Sequence, residues 1–347
     1  MSRRHRCPKR STWPWRGISY LMIVLTLTLT GCQQSPPDRR TQADQLTEQV
    51  RALPGVAAAN LDYADAFLAG NVHAWLTVDV TDAATADQIA AVAARYLEGL
   101  RAVDYGGYDT ELDIRHGWNL FAVDSGQHAV TNTDQIIGQA RDWAALRHEF
   151  SRATVTLRAT VTHPPQSSAR PDLGHASIGT IDMPDADYAS VTSAITTLGA
   201  RFPQLSAGTW TVSATNHART AQISTSQRLP TGQELAMWGT LNADQATPHS
   251  DAMAINPPQA PPVWISEEVT SHDPAVAVAL AERHLPIAAT LPPPLLYTAT
   301  DELQGRRDFN ARTTGPVAIT IGGCTVRTYA PDPTEQRFIH TYETCRA

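Results

Sequence analysis

The side chains able to do chemistry are few in kind and widely spaced. Four cysteines occur, at Cys7, Cys32, Cys324 and Cys345. Cys32 closes the stretch Leu29-Thr30-Gly31-Cys32, behind a basic segment with Arg3, Arg4, Arg6, Lys9, Arg10 and Arg16 and an apolar run of 13 residues from Ile18 to Thr30. That run is too short to span a bilayer and has the length of a signal peptide's apolar region. Eleven histidines lie beyond it, from His73 to His340, and no two are four residues apart. Each reads as a hydrogen-bonded or solvated structural histidine. The chain has no Gly-x-Ser-x-Gly elbow, no His-Glu-x-x-His helix and no calcium loop. Gly106-Gly107 lies between Tyr105 and Tyr108 and does not open a helix after a strand, so it makes no phosphate cradle. No catalytic residue, metal site or cofactor is expected from these patterns, and an enzyme is the less favoured reading.

The Leu-Thr-Gly-Cys stretch resembles the lipobox of bacterial lipoproteins. The resemblance implies that Cys32 receives a diacylglyceryl group and that residues 1–31 are a cleaved signal peptide. Arg3-Arg4 would suit a twin-arginine export signal, but Arg6 and Cys7 stand where that signal has apolar residues, so general secretion is expected. Each buried methylene contributes ~0.8 kcal/mol, and two chains anchor stably where one does not. The expected location is the extracytoplasmic face of the cell membrane, with membrane lipid as a partner through the palmitate-type anchor. With Cys7 lost and Cys32 acylated, Cys324 and Cys345 remain. A disulfide between them would stabilise by roughly 3 kcal/mol and suits an oxidising compartment. Two unrelated buried thiols are the competing reading.

Cleavage leaves 316 residues and takes the formal net charge from −7 to −13, because all six leader cations depart. Lys9 is the chain's single lysine. A mature protein without lysine has no P-loop lysine, no Schiff-base lysine and no Ser-x-x-Lys pair. An acidic surface also argues against nucleic acid, whose binding rests on neutralised phosphates. Arginine in place of lysine, with abundant alanine, points to a GC-rich genome such as an actinobacterium's.

The elements that must carry these residues alternate between two periods. Val72, Ala74, Leu76, Val78 and Val80 alternate with polar neighbours, as do Ala153, Val155, Leu157, Ala159 and Val161. These are half-buried strands of an α+β fold. Apolar stripes predict helices through Ile89 to Leu100, Tyr188 to Phe202, and Val276 to Leu285, the last ending at Pro286. Further helices are expected over 43–53, 133–150 and 232–242. Short strands are expected at 111–114, 209–215, 317–321, 326–329 and 337–342. Prolines at 248, 257, 258, 261 and 262 make 242–263 an irregular linker.

The order αββαβ recurs at intervals near 100 and 90 residues. It predicts two or three small two-layer sandwich domains. The expected boundaries are a tether over 32–42, then domains over 43–125, 130–228 and 229–347, the last with a disulfide-tied hairpin. Residues 43–115 are similar in element order to BON-type domains of envelope lipoproteins, which implies a phospholipid partner. Trp75 is the one candidate ligand contact, since strand parity puts it with His73, Thr77 and Asp79 on the polar face. Packing under a neighbouring domain is the favoured reading for it. Trp118, Trp143, Trp210, Trp238 and Trp264 read as core. The function expected is a non-catalytic binding or scaffolding component of the cell envelope. An envelope hydrolase with a site assembled from distant residues, or a transporter's substrate receptor, are the alternatives.

Overall fold

Apolar stripes and capping side chains set the helices, and alternation sets most strands, in a computed structural model that describes residues 36–66, 71–165, 174–184, 187–216, 219–244, 246–258, 260–301, 306–307, 313–314, 316–327 and 329–345. The expected signal peptide and Cys32 lie outside the described residues. The elements begin with α1 (Arg40–Arg51), β1 (Val56–Ala66), β2 (Asn71–Val80), α2 (Ala86–Ala102), β3 (Asp109–His116) and β4 (Asn119–Gly126). Then come α3 (Thr133–Glu149), β5 (Thr154–Arg158), β6 (Ile178–Pro184), α4 (Tyr188–Arg201), β7 (Thr209–Asn216) and β8 (Arg219–Ser226). The last group is α5 (Gly232–Ala243), β9 (His249–Ile255), β10 (Val263–Val269), α6 (Pro274–Ala288), β11 (Leu295–Thr300), β12 (Val317–Ile321) and α7 (Pro333–Tyr342). Arg306–Arg307 pairs separately with Thr313–Thr314.

Capping explains several helix starts. Thr85 and Gln88 cap α2 reciprocally, and Thr231 and Glu234 do the same for α5. Asp187, Asp273 and Asp332 each accept a backbone N–H at the start of α4, α6 and α7. Asp273, beside His272, thus serves as a helix start. Helix α6 runs two residues past Pro286, which lies inside it rather than ending it.

The repeating element is αββ, six times over. Each hairpin is antiparallel, and each helix carries the chain to a parallel neighbour, so β2 pairs β3, β4 pairs β5, β6 pairs β7, β8 pairs β9 and β10 pairs β11 in parallel. Among the described residues the twelve strands form one mixed sheet in sequence order. The expected mixture of helices and strands is present, but separate small sandwiches are not. Leu120 pairs with Thr156 across the first expected boundary, and Ile223 with Met253 across the second. The expected unit counted one strand after each crossover helix. The structure has a hairpin there, and its second strand supplies the edge on which the next unit pairs. Asp38–Ala347 is one compact unit.

One core runs the length of the sheet on the helix side, through Leu76, Ile114, Phe121, Leu157, Val212, Ile223, Ile265 and Ile319. Trp143, Trp210 and Trp238 are fully buried in it, as expected. Gly179 makes room for Trp210, since a Cβ there would stand 2.3 Å from the indole. Two tryptophans depart from the core reading: Trp264 is half-buried on the other face of β10, and Trp118 is 89% exposed, beside Gly117 between β3 and β4. A hairpin turn exposes whatever it carries, and the apolar neighbours that suggested core belong to β4.

Two further expectations are corrected at the C-terminal end. The supposed linker 242–263 contains β9. Residues 337–342 are helical, because Asp332 and Pro333 start α7 ahead of them, and the described residues of 326–329 form no named strand. The Cys324–Cys345 disulfide is present, with Cα atoms 4.9 Å apart. It ties the turn after β12 to the residues after α7 instead of closing a hairpin. Helix α7 also seals the edge strand. Ala318 N donates to Glu335 Oε1 (3.1 Å) and Thr320 N to Glu343 Oε1 (3.0 Å), while Arg327 donates to Ala318 O (2.5 Å). Such side chains take the place of a further strand and block edge pairing.

Candidate functional site

Charged side chains occupy the helix-facing side of the sheet where β9, β10 and β11 pass under α6. In β10 that face carries Val263, Ile265, Glu267 and Val269, so a carboxylate sits in an apolar row. In α6, His284 shares the stripe of Ala277, Leu280, Ala281 and Ala288. Strand β9 adds His249 and Asp251 beside Met253 and Ile255, and Asp251 is the direct cross-strand partner of Glu267. His249, Asp251, Glu267 and His284 are all buried.

His284 is held from both sides. Its Nδ1 lies 2.6 Å from Glu267 Oε1 and its Nε2 3.1 Å from Asp244 Oδ2. Tyr297 of β11 donates its hydroxyl to the other oxygen of Glu267. His249 Nδ1 lies 2.6 Å from Thr247 O, and its ring meets the His284 ring edge-on at 5.3 Å. His249 Nε2 stands 3.3 Å from Asp251 Oδ1. That is ion-pair distance without hydrogen-bond geometry, and His249 Nε2 and both Asp251 oxygens have no hydrogen-bond partner among the described residues. At the rim, Arg283 donates to Asp244 Oδ2 (2.7 Å) and to Thr247 Oγ1 (2.9 Å).

Burial and charge act against each other here. Burial pushes the Asp251 carboxyl up, with the Glu267 charge adding to it. Burial would lower His249, but Asp251 beside it and the Thr247 carbonyl raise it overall. Burial and the Glu267 charge hold the Tyr297 phenol well above its ordinary value. At the rim, hydrogen bonds from Arg283 and from Ala246 N hold Asp244 low. Charged groups desolvated this far are retained only where partners compensate them. Two imidazoles and one carboxylate, His249, His284 and Glu267, offer ligand atoms all within 4.8 Å of one another.

The residues singled out from the sequence fall elsewhere. Trp75 is 37% exposed on the polar face of β2 and stacks on His73 at 3.9 Å between ring centres. Among the described residues no neighbouring domain covers it. Its cross-strand partners are Asp62 and Glu111, and Glu111 lies in a row with Asp109 and Asp113, opposite Asp124 in β4. Burial, then the Asp113 and Asp124 charges, push the Glu111 carboxyl up. A cleft of about 270 Å³ opens between Leu100, Arg101, Tyr105, Gly106 and His128. No serine or cysteine lines it. Sequence reasoning missed His249, Glu267 and His284 because they sit on three elements. Their shared signal is a titratable residue standing on an apolar stripe.

Comparison with protein families, with curated proteins and with solved structures returned no match for this chain.

Proposed function

We propose that the chain is a lipid-anchored, extracytoplasmic component of the cell envelope that binds a partner protein without catalysis. Acylated Cys32 is the anchor in this reading, held in the membrane by two chains rather than one. Each formerly expected domain then corresponds to two αββ units that together present one long surface. The observation that carries the reading is the polar sheet face around Trp75, an exposed aromatic beside Asp62, Glu111 and Asp113. Aromatic anchors are enriched at binding surfaces. The local excess of negative charge selects a partner that presents arginine or lysine, and it disfavours an anionic surface as the form of the phospholipid partner that the BON-type resemblance implies.

The hydrolase alternative is less favoured, because the described cleft has neither serine nor cysteine in its lining. The receptor alternative expects two doubly wound lobes, whereas the twelve strands lie in one mixed sheet. Crosslinking in intact envelopes tests the proposal with the full lipidated chain and a Trp75→Ala/Glu111→Gln variant. The wild type should crosslink to a basic-surfaced protein that the variant loses, with membrane retention equal in both. Identical crosslinked species from both chains would contradict it. For the anchor, Cys32→Ala should lose labelled palmitate and membrane retention together.

A further inference from the structure

We propose that His249 Nε2, Glu267 Oε1 and His284 Nδ1 are ligands of one divalent metal ion of the zinc class, with Asp251 completing the set. The donor set is two imidazoles and two carboxylates, which suits zinc and its neighbours. Calcium and magnesium take six or more oxygen ligands or retain water. In a tetrahedron with bonds of ~2.0–2.2 Å, ligand atoms stand ~3.3–3.6 Å apart. His249 Nε2 and Asp251 Oδ1 are 3.3 Å apart, and one ligand atom from each of His249, Glu267 and His284 lies within 4.8 Å of the others. His284 Nδ1 and Glu267 Oε1, 2.6 Å apart in their hydrogen bond, would separate on binding, and Asp251, which lies outside that group of three, would move in as the fourth ligand.

The atoms around each ligand support the assignment. A metal-binding histidine characteristically gives its other ring N–H to a carbonyl or carboxylate. Here Thr247 O receives it from His249 Nδ1, leaving Nε2 with a lone pair, and Asp244 Oδ2 receives it from His284 Nε2. Tyr297 occupies the second oxygen of Glu267, leaving Oε1 toward His284. The independent observation is that His249 Nε2 and both Asp251 oxygens are fully buried without a hydrogen-bond partner. A cation would satisfy His249 Nε2 and one of the two Asp251 oxygens. Charge closes as well: two carboxylates neutralise a divalent ion, with both histidines neutral in the loaded site. The proton shared by His284 Nδ1 and Glu267 Oε1 and the proton that Asp251 favours on His249 are released to solvent on binding.

Such an ion would be structural. All four donors come from the protein, the hallmark of a closed site, and it would join β9, β10 and α6. The Cys324, Glu343 and Cys345 group offers no rival site, because both sulfurs are joined in the disulfide.

The test uses the full chain in detergent with its disulfide oxidised, stripped by chelator and titrated with Co²⁺. One equivalent should saturate, produce the intense visible absorption of four-coordinate cobalt, and raise the thermal midpoint. His249→Ala and His284→Ala, checked for native far-ultraviolet dichroism, should lose the band. Tyr297→Phe keeps every ligand and should weaken affinity by ~10–100-fold. X-ray absorption on the zinc-loaded wild type needs no variant and should find two imidazoles around the ion. No band and an unmoved midpoint in excess cobalt would overturn the proposal. A band that survives both histidine substitutions, or a zinc shell without imidazole, would overturn it too.

Discussion

The first eight strands and the last four are built from the same αββ element, yet they solve burial differently. Strands β2, β3, β5 and β7 alternate inward apolar residues with polar ones such as Thr77, Asp113, Thr156 and Thr211 on the open face. In β11 and β12 every residue is buried, and in β9 and β10 all but Ala254, Trp264 and Glu268. The open-faced region puts its charges in water, where they are available to a partner. The closed region puts His249, Asp251, Glu267 and His284 inside. In the function proposed above, charge in the first region serves recognition, and charge in the second serves structure.

The sharpest way to break this comparison is to delete one glutamate from each region. Glu267→Ala leaves His284 and the Tyr297 hydroxyl buried without their acceptor and should cost about 3–5 kcal/mol in urea unfolding. Glu111→Ala on the open face should change stability by no more than ~0.5 kcal/mol. Equal effects would remove the distinction. Next in size is the covalent tie of the closed region: Cys324→Ser/Cys345→Ser should lower stability by about 3 kcal/mol by the same measurement. Helix caps supply the control. Thr85→Ala in the open region and Thr231→Ala in the closed one should each cost about 1 kcal/mol, because a cap acts locally whatever the sheet face beyond it does.

The smallest effects are in pH dependence and have opposite signs in the two regions. Burial works against charge on Glu234, but the Arg228 hydrogen bonds and the Thr231 N–H hold its carboxyl below the ordinary value. Its contribution is therefore present above the unfolded glutamate value of ~4.3 and is lost as pH falls through the folded value. Glu111 is raised, so it penalises the folded state above its folded value and the penalty disappears as pH falls. Stability against pH for Glu234→Gln should lose acid sensitivity, and Glu111→Gln should gain it relative to wild type.

The same contrast decides what the sequence reveals. Half-buried strands announce themselves, and β2 and β5 were legible from alternation, as α2 and α4 were from their stripes. A strand covered on both faces has no alternation to read. His249-Ser250-Asp251, set among the prolines of 242–263, therefore looks like a linker although it opens β9. The disulfide pair was legible from arithmetic alone. The buried cluster was not, because sequence spacing says nothing about residues brought together by parallel crossovers. Its visible trace is a carboxylate in the row of Val263, Ile265 and Val269, and a histidine in the stripe of Ala277 and Leu280.

Metal content of the purified full chain tests the central claim most directly. After incubation with excess zinc and removal of unbound ion by gel filtration, elemental mass spectrometry should find one zinc per natively folded chain, and none in His249→Ala/His284→Ala. A folded wild type that carries no more zinc than that variant would contradict the account.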